Sequence, residues 1–199
     1  AYGNVTIANG RVFAGTNNES PRDTGKKGDR GVVMCFNEKS GEIEWQLVIP
    51  KLGAGKVSDW EYIGVCSSPA IEGNRVYVVT NKCEVVCLDI EGFKNGNDGP
   101  FMDEANYVKP KGTQDSLNEK LDADIIWMYD MRDQLGVFPH NVTSSSPLII
   151  GDSIFRLKEP KKCSSLDLLK PNLAFPSIQK SLMKEEKDTI LQCLHHAVY

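Results

Sequence analysis

One short pattern occurs three times in the chain, and this repetition limits the possible folds more than any other feature. The copies cover residues 5–15, 67–79 and 145–155. Each copy has an apolar run, a two-residue turn and a second alternating apolar run. The turns are Asn9-Gly10, Gly73-Asn74 and Gly151-Asp152. Such pairs favour β-hairpins because primed turns need positive φ. The pattern therefore predicts three hairpins within a repeat architecture.

Two of the copies continue into a longer unit. A third apolar run follows at residues 32–37 and again at 84–89, and a fourth run ends at Trp45 in one unit and at Trp127 in the other. Four short antiparallel strands per unit are typical of a β-propeller blade. The sequence therefore predicts an all-β fold. We expect part of a β-propeller, with two nearly complete four-stranded blades and the start of a third.

Equivalent positions of the two units carry the same residue types. We expect Trp45 and Trp127 to wedge between neighbouring blades, because a large aromatic repeated in register is typical of a core. Cys35 and Cys87 also correspond, and we interpret them as small buried hydrophobic residues. Trp60 differs, since it lies in a polar connection and is a candidate for surface recognition.

Four polar connections interrupt the repeats. We call residues 17–29 the first insertion and residues 95–121 the second insertion; the other two connections are residues 51–65 and 131–143. All are rich in loop-forming residues. Insertions of this length usually lie on one face, where partners bind. We therefore expect a protein or small-molecule partner on that face.

The repeat pattern stops at Arg156, which predicts two regions, residues 1–155 and 156–199. Residues 177–199 have apolar side chains at helical spacing, which is typical of an amphipathic helix. Either this tail is a helical cap, or it is not a native continuation of the propeller. We favour the second interpretation because the break falls inside a hairpin. A propeller closes with typically 4–8 blades, so we expect further blades or other copies to complete it.

Composition excludes some functions and leaves others open. A net charge of −4 and a pI near 5.5 give no electrostatic reason to expect nucleic-acid binding. No apolar run approaches the roughly 18 residues of a membrane span. The six cysteines form no CxxC pair, so their spacing does not identify the compartment.

Residues 34–45, MCFNEKSGEIEW, carry a family resemblance. They resemble the blade ending of the pyrroloquinoline-quinone-like (PQQ-like) propeller repeats, and Ser68-Pro69 followed by Val76-Tyr77-Val78 resembles the blade start. The resemblance implies a periplasmic or extracellular protein. It leaves two functions open: a binding scaffold without a catalytic site, or a fragment of a quinoprotein dehydrogenase that uses PQQ and calcium. The adjacent Cys-Cys pair of the alcohol dehydrogenases is missing.

The sequence offers carboxylate and amide oxygens that could bind a hard cation. These candidates are Asp59, Glu61, Asp130, Asp133 and Asn141. Their spacing matches neither the EF-hand loop nor another recognisable cation-binding loop. We therefore interpret the acids as solvated and assign no metal site. Catalytic and cofactor-binding residues remain unassigned.

Several isolated residues and short motifs resemble known functional patterns. His140 reads as a hydrogen-bonded loop residue, and Cys193, His195 and His196 receive no role. Residues 53–56 lack the full phosphate-loop pattern. Asn4, Asn18 and Asn141 match the N-glycosylation pattern. Exposed Trp60 and Tyr107 would support a third function, the binding of carbohydrate or a sulfated polymer.

Overall fold

The structure, a computed structural model, describes residues 3–52, 59–110, 112–150, 153–157 and 166–169. The chain divides into two compact units, Ala1–Leu148 and Ile149–Tyr199. The first unit contains two four-stranded sheets, and each is an antiparallel meander with neighbouring strands in sequence order. The predicted β fold with two four-stranded units is confirmed.

The strands of the two sheets match the predicted units closely. Sheet 1 consists of β1 (Thr6–Ala8), β2 (Arg11–Asn17), β3 (Gly31–Asn37) and β4 (Ile43–Ile49). Sheet 2 consists of β5 (Ala70–Glu72), β6 (Arg75–Val79), β7 (Glu84–Asp89) and β8 (Ile125–Asp130).

The predicted hairpin turns form where the sequence places them. Ala8 pairs with Arg11 across a turn in which Asn9 and Gly10 have φ of 52° and 73°. Positive φ at both central positions is the type I′ requirement, which Asn-Gly meets with little strain. The third predicted turn, Gly151-Asp152, lies outside the described residues.

The fourth strands do not end at the tryptophans, so the expectation that they end at Trp45 and Trp127 is wrong. β4 continues from Trp45 to Ile49, and β8 continues from Trp127 to Asp130. The reason is that β3 offers backbone partners over its whole length, so that Gly31 pairs with Ile49. The apolar residues that follow Trp45 make the longer strand favourable.

The two sheets repeat each other in detail. Cys35 pairs with Trp45 and Cys87 pairs with Trp127, and a β-bulge follows each cysteine. Each tryptophan ring also lies tilted against an aromatic ring two strands away. The ring pairs are Phe13–Trp45 at 6.0 Å and Tyr77–Trp127 at 6.1 Å. The repetition seen in the sequence therefore extends to side-chain packing.

The core of the first unit lies between the two sheets. Phe13, Cys35 and Trp45 of sheet 1 share one buried cluster with Val78 and Leu88 of sheet 2. Trp45 Nε1 donates to the carbonyl oxygen of Ile90, 2.9 Å away, just beyond β7. Trp45 thus wedges between the sheets as predicted. Trp127 is also buried, but its wedge role stays a prediction.

The second insertion is more ordered and more buried than a surface loop. It follows a short 3-10 helix, Gly92–Asn95, and contains the helix α1, Glu104–Tyr107. Its residues Tyr107 and Val108 belong to the core cluster between the sheets. A second helix, α2, Met131–Leu135, follows β8. The expectation of a loop is therefore only partly correct.

A third sheet has the strand order β11-β10-β9. Its strands are β9 (Leu148–Ile150), β10 (Ser153–Leu157) and β11 (Leu166–Leu169). β10 extends past the predicted break at Arg156, and β11 pairs with it. The helix expected over residues 177–199 lies outside the described residues. Within the described part of the chain, no helix has the length and apolar character needed to cross a membrane.

Candidate functional site

The most distinctive surface feature is the loop of residues 59–64, which we call the Trp60 loop. Its first residue, Asp59, is 2% exposed. The Asp59 carboxylate lies 2.6 Å from Lys51 Nζ and accepts hydrogen bonds from Leu52 N and Asn81 Nδ2. The interpretation of Asp59 as a solvated acid is therefore wrong, because three donors surround this carboxylate.

The middle of the Trp60 loop is held by its backbone. Trp60 N donates to the Asn141 carbonyl oxygen at 2.8 Å, and the Trp60 carbonyl accepts from Lys51 Nζ at 2.6 Å. Tyr62 N donates to Asp29 Oδ2, and its carbonyl accepts from Asn17 Nδ2. These bonds join the loop to three separate parts of the chain.

Tyr62 has a φ of 57°, which is unusual for a bulky residue. Gly64 follows with a φ of 76°, and a Cβ there would lie 2.3 Å from the Thr16 carbonyl oxygen. Only glycine fits so close to that backbone. Anchors on both sides therefore hold Tyr62 in a strained conformation, and such strain often accompanies functional sites.

The fixed loop presents aromatic side chains to solvent. Trp60 is 43% exposed and Tyr62 is 56% exposed, whereas Trp45 is 1% exposed. The bond to Asn141 places the loop beside a second segment, where Phe138 is 63% exposed. The prediction that Trp60 lies at the surface is confirmed.

The candidate acids do not converge on one point. Glu61 and Asp133 are exposed. Asp130 accepts from the Arg132 backbone and pairs with its guanidinium at 2.5 Å, which caps α2. Burial alone would raise the pKa of Asp130, but its bonds with Arg132 lower it. No group of three or more His, Cys, Asp or Glu side chains suited to a metal occurs in the described ranges.

Other sequence candidates separate in the structure. His140 is exposed, and Asn141 anchors the Trp60 loop through its carbonyl. Asn4 is exposed, whereas Asn18 is 4% exposed and its amide donates to the carbonyls of Lys26 and Gly28. Asn18 is therefore a poor glycosylation acceptor in the folded protein. Residues 53–56, Cys193, His195 and His196 lie outside the described residues.

Tyr107 is buried, which corrects its proposed role as an exposed ligand-binding aromatic. It is 7% exposed, and its hydroxyl donates to Glu84 Oε2 at 2.7 Å. Lys82 Nζ lies 4.5 Å from the ring centroid, and the Phe101 ring meets it edge-on. Burial, followed by the charge of Glu84, raises the Tyr107 pKa well above its ordinary value.

A buried ionic cluster joins the first insertion and the residue after it to the second insertion and the residue after it, and the sequence did not predict it. Lys26 Nζ lies 2.5 Å from Asp122 Oδ2 and 3.0 Å from Asp23 Oδ2. The side chains of Lys26 and Asp122 are 1% and 0% exposed. Arg30 and Asp115 form a second link at 2.6 Å. Nothing in the local pattern distinguishes Lys26 from neighbouring solvated lysines.

Two of the buried carboxyl groups near the second insertion have raised pKa values. Burial raises the pKa of Asp122, against the opposing effect of Lys26 and the Asn118 amide. Burial also raises the pKa of Asp124 to about 6, and the nearby Glu104 and Asp89 charges add to this. Each carboxyl also accepts a hydrogen bond from a backbone amide, Asn118 N to Asp122 and Asp98 N to Asp124.

The repeated cysteines behave as small hydrophobic core residues. Cys35 is 0% exposed and Cys87 is 1% exposed. Desolvation raises the pKa of both thiols to about 12. The interpretation of Cys35 and Cys87 as buried hydrophobic residues is confirmed.

Comparison with known proteins adds no further constraint on function. Neither a family model nor a curated protein matched the chain.

Proposed function

We propose that the chain is part of a β-propeller of the PQQ-like repeat type and acts as a binding scaffold outside the cytoplasm. One recurring hydrogen bond supports the repeat architecture in this proposal. Asn4 N donates to Ser68 Oγ at 2.8 Å, and Ser68 N donates to Ser146 Oγ at 2.9 Å. The residues are 64 and 78 apart, as are the corresponding repeats. Head-to-tail contacts of this kind can close into a ring.

The packing of sheet 1 also supports a row of sheets. Val33 and Cys35 of β3 pack in the cluster shared with sheet 2, whereas Val32 and Met34 belong to a different buried cluster with Val48. Alternate residues of a strand point to opposite faces. Sheet 1 therefore has two apolar faces, as expected for a sheet stacked between two neighbours.

The first strand supports the need for further repeats or further copies. β1 is an edge strand, its residue Ile7 is 62% exposed, and the preceding Val5 is 54% exposed. Exposed apolar edge strands tend to associate with other strands. We expect sedimentation velocity to show association of the 22.1 kDa chain. A stable monomer that unfolds cooperatively would contradict the partial propeller.

A second experiment separates a scaffold from a quinoprotein dehydrogenase. PQQ and calcium are added to the protein, and its visible absorption and dye-linked alcohol oxidation are measured. A scaffold is expected to change neither signal. A saturable spectral change together with oxidation activity would replace the scaffold proposal with the enzyme alternative.

A further inference from the structure

We propose that the Trp60 loop binds a basic peptide segment of a partner protein, with an Arg or Lys side chain over Trp60 and near Glu61. This inference rests on the proposed scaffold function, because it names the surface and the partner class for that function. Aromatic and acidic groups on a fixed loop carry the argument.

The first step is that the loop is already ordered. Its backbone is held by Asn141, Lys51, Asp29 and Asn17, and these bonds use no aromatic side chain. A partner would therefore meet a rigid surface, and binding would cost little conformational entropy.

The second step is that the core does not need these aromatic rings. Trp60 and Tyr62 are 43% and 56% exposed. The loop is attached to the protein through its buried first residue, Asp59, which is 2% exposed. Exposed Trp and Tyr side chains on a fixed backbone are typical of residues that contribute most to binding.

The third step is the charge around the loop. Lys51 is paired with Asp59, and Arg132 is paired with Asp130. Among the described residues of the connection 51–65, Glu61 is an exposed carboxylate for which the structure shows no ion pair. The exposed Glu61 carboxylate therefore gives the loop a negative charge next to Trp60 in the chain, which disfavours a sulfated polymer.

The fourth step is that the Trp60 indole and the Glu61 carboxylate both attract a basic side chain. The face of an indole ring attracts cations, and Arg does so especially often. A carboxylate beside the ring can also accept charge-assisted hydrogen bonds from a guanidinium. Trp60 and Glu61 are adjacent in the chain and both exposed, so a bound basic peptide has an indole and a carboxylate available on consecutive residues. A basic peptide uses the two groups together.

The test uses capped hexa-arginine as the probe, measured by isothermal titration calorimetry at low and at physiological salt. We expect saturable binding that weakens with salt. Trp60→Ala and Glu61→Gln should each weaken it by about fivefold or more. Both substitutions leave the backbone anchors of the loop in place. Circular dichroism checks the fold of each variant.

Matched controls separate this site from general attraction to an acidic protein. Met102→Ala removes another exposed apolar side chain, 65% exposed, and Glu38→Gln removes another exposed carboxylate. Neither should change the affinity. Equal affinity of the wild type, Trp60→Ala and Glu61→Gln would overturn the proposal. Tighter binding of hexaglutamate, heparin or a neutral glucose hexamer than of hexa-arginine would also overturn it.

The peptide-binding experiment and the sedimentation experiment can fail independently of each other. Peptide binding requires only the folded loop, whereas sedimentation reports the association of repeats. Loss of peptide binding with association intact removes only this inference. A stable monomer that still binds the peptide removes the propeller proposal and leaves the binding site.

Discussion

The backbone amide of Ser68 donates to the hydroxyl of Ser146, 2.9 Å away, at the start of the next copy of the repeat. Ser68 itself accepts the same bond from Asn4. Thr6 and Asn9 add further bonds in the same direction, to the carbonyls of Pro69 and Gly73. The first copy therefore donates to the second, and the second donates to the third.

Removal of the Ser146 hydroxyl tests this contact directly. We expect Ser146→Ala to lower the free energy of unfolding by about 0.5–1.5 kcal/mol, because the Ser68 amide loses its acceptor. Urea denaturation measures the change. Ser144→Ala, at an exposed neighbour, should have no measurable effect, and equal effects of the two variants would show that the bond contributes nothing.

Substitution of the tryptophans tests the wedge between the sheets. Trp45→Phe removes the Nε1 bond to Ile90 and leaves a cavity, so we expect a loss of about 2–4 kcal/mol. Trp60→Phe makes the same chemical change at a 43% exposed position and should cost less than about 0.5 kcal/mol. Thermal or urea unfolding measures both, and similar losses at the two sites would contradict the wedge.

The buried pair of Lys26 and Asp122 should show strong coupling. Lys26→Met leaves the Asp122 carboxylate without its cation, and breaking a buried pair in this way costs about 3–5 kcal/mol. Lys26→Met combined with Asp122→Asn should cost less than the sum of the two single changes. A double-mutant cycle in urea measures this coupling. Additive losses would mean that the two side chains act independently.

The raised pKa of Asp124 predicts that the free energy of unfolding depends on pH. Its pKa is raised from 3.8 to about 6, mainly by burial, so the folded state holds this proton more tightly than the unfolded chain. The stability that Asp124 contributes is therefore full below pH 4 and is lost as the pH rises through 6. Asn cannot ionise, so Asp124→Asn should remove this loss. Its urea midpoint at pH 7 should be higher than that of the wild type.

Asp133→Asn provides the control for this pH effect, because Asp133 is exposed. Its unfolding profile between pH 4 and pH 7 should follow that of the wild type. If the Asp124→Asn profile also followed the wild type, the raised pKa of Asp124 would be excluded as a source of the pH dependence.

The repeated local patterns predicted most of the sheet structure. Apolar alternation and turn residues are local signals, so β3, β7 and the Asn9-Gly10 turn lie where they were expected. The ends of β4 and β8 were missed because they depend on pairing partners elsewhere in each sheet.

The candidate site was only partly predictable, for a similar reason. Exposure of Trp60 follows from its polar neighbours, which the sequence shows. Burial of Asp59, Tyr107 and Lys26 depends on partners that lie far away in the chain. Long-range pairing has no local signature, so these residues resemble ordinary loop residues in the sequence.

The ion pair between Lys26 and Asp122 spans 96 positions of the chain. A ribosome makes Lys26 long before it makes Asp122, and domains tend to fold as units once their parts have emerged. The first sheet can form early, but the lysine of its insertion must wait in water until the second sheet is nearly complete. The Lys26–Asp122 pair can therefore form only after most of the first unit has been synthesised, which ties its contribution to the completed unit and not to the first sheet alone.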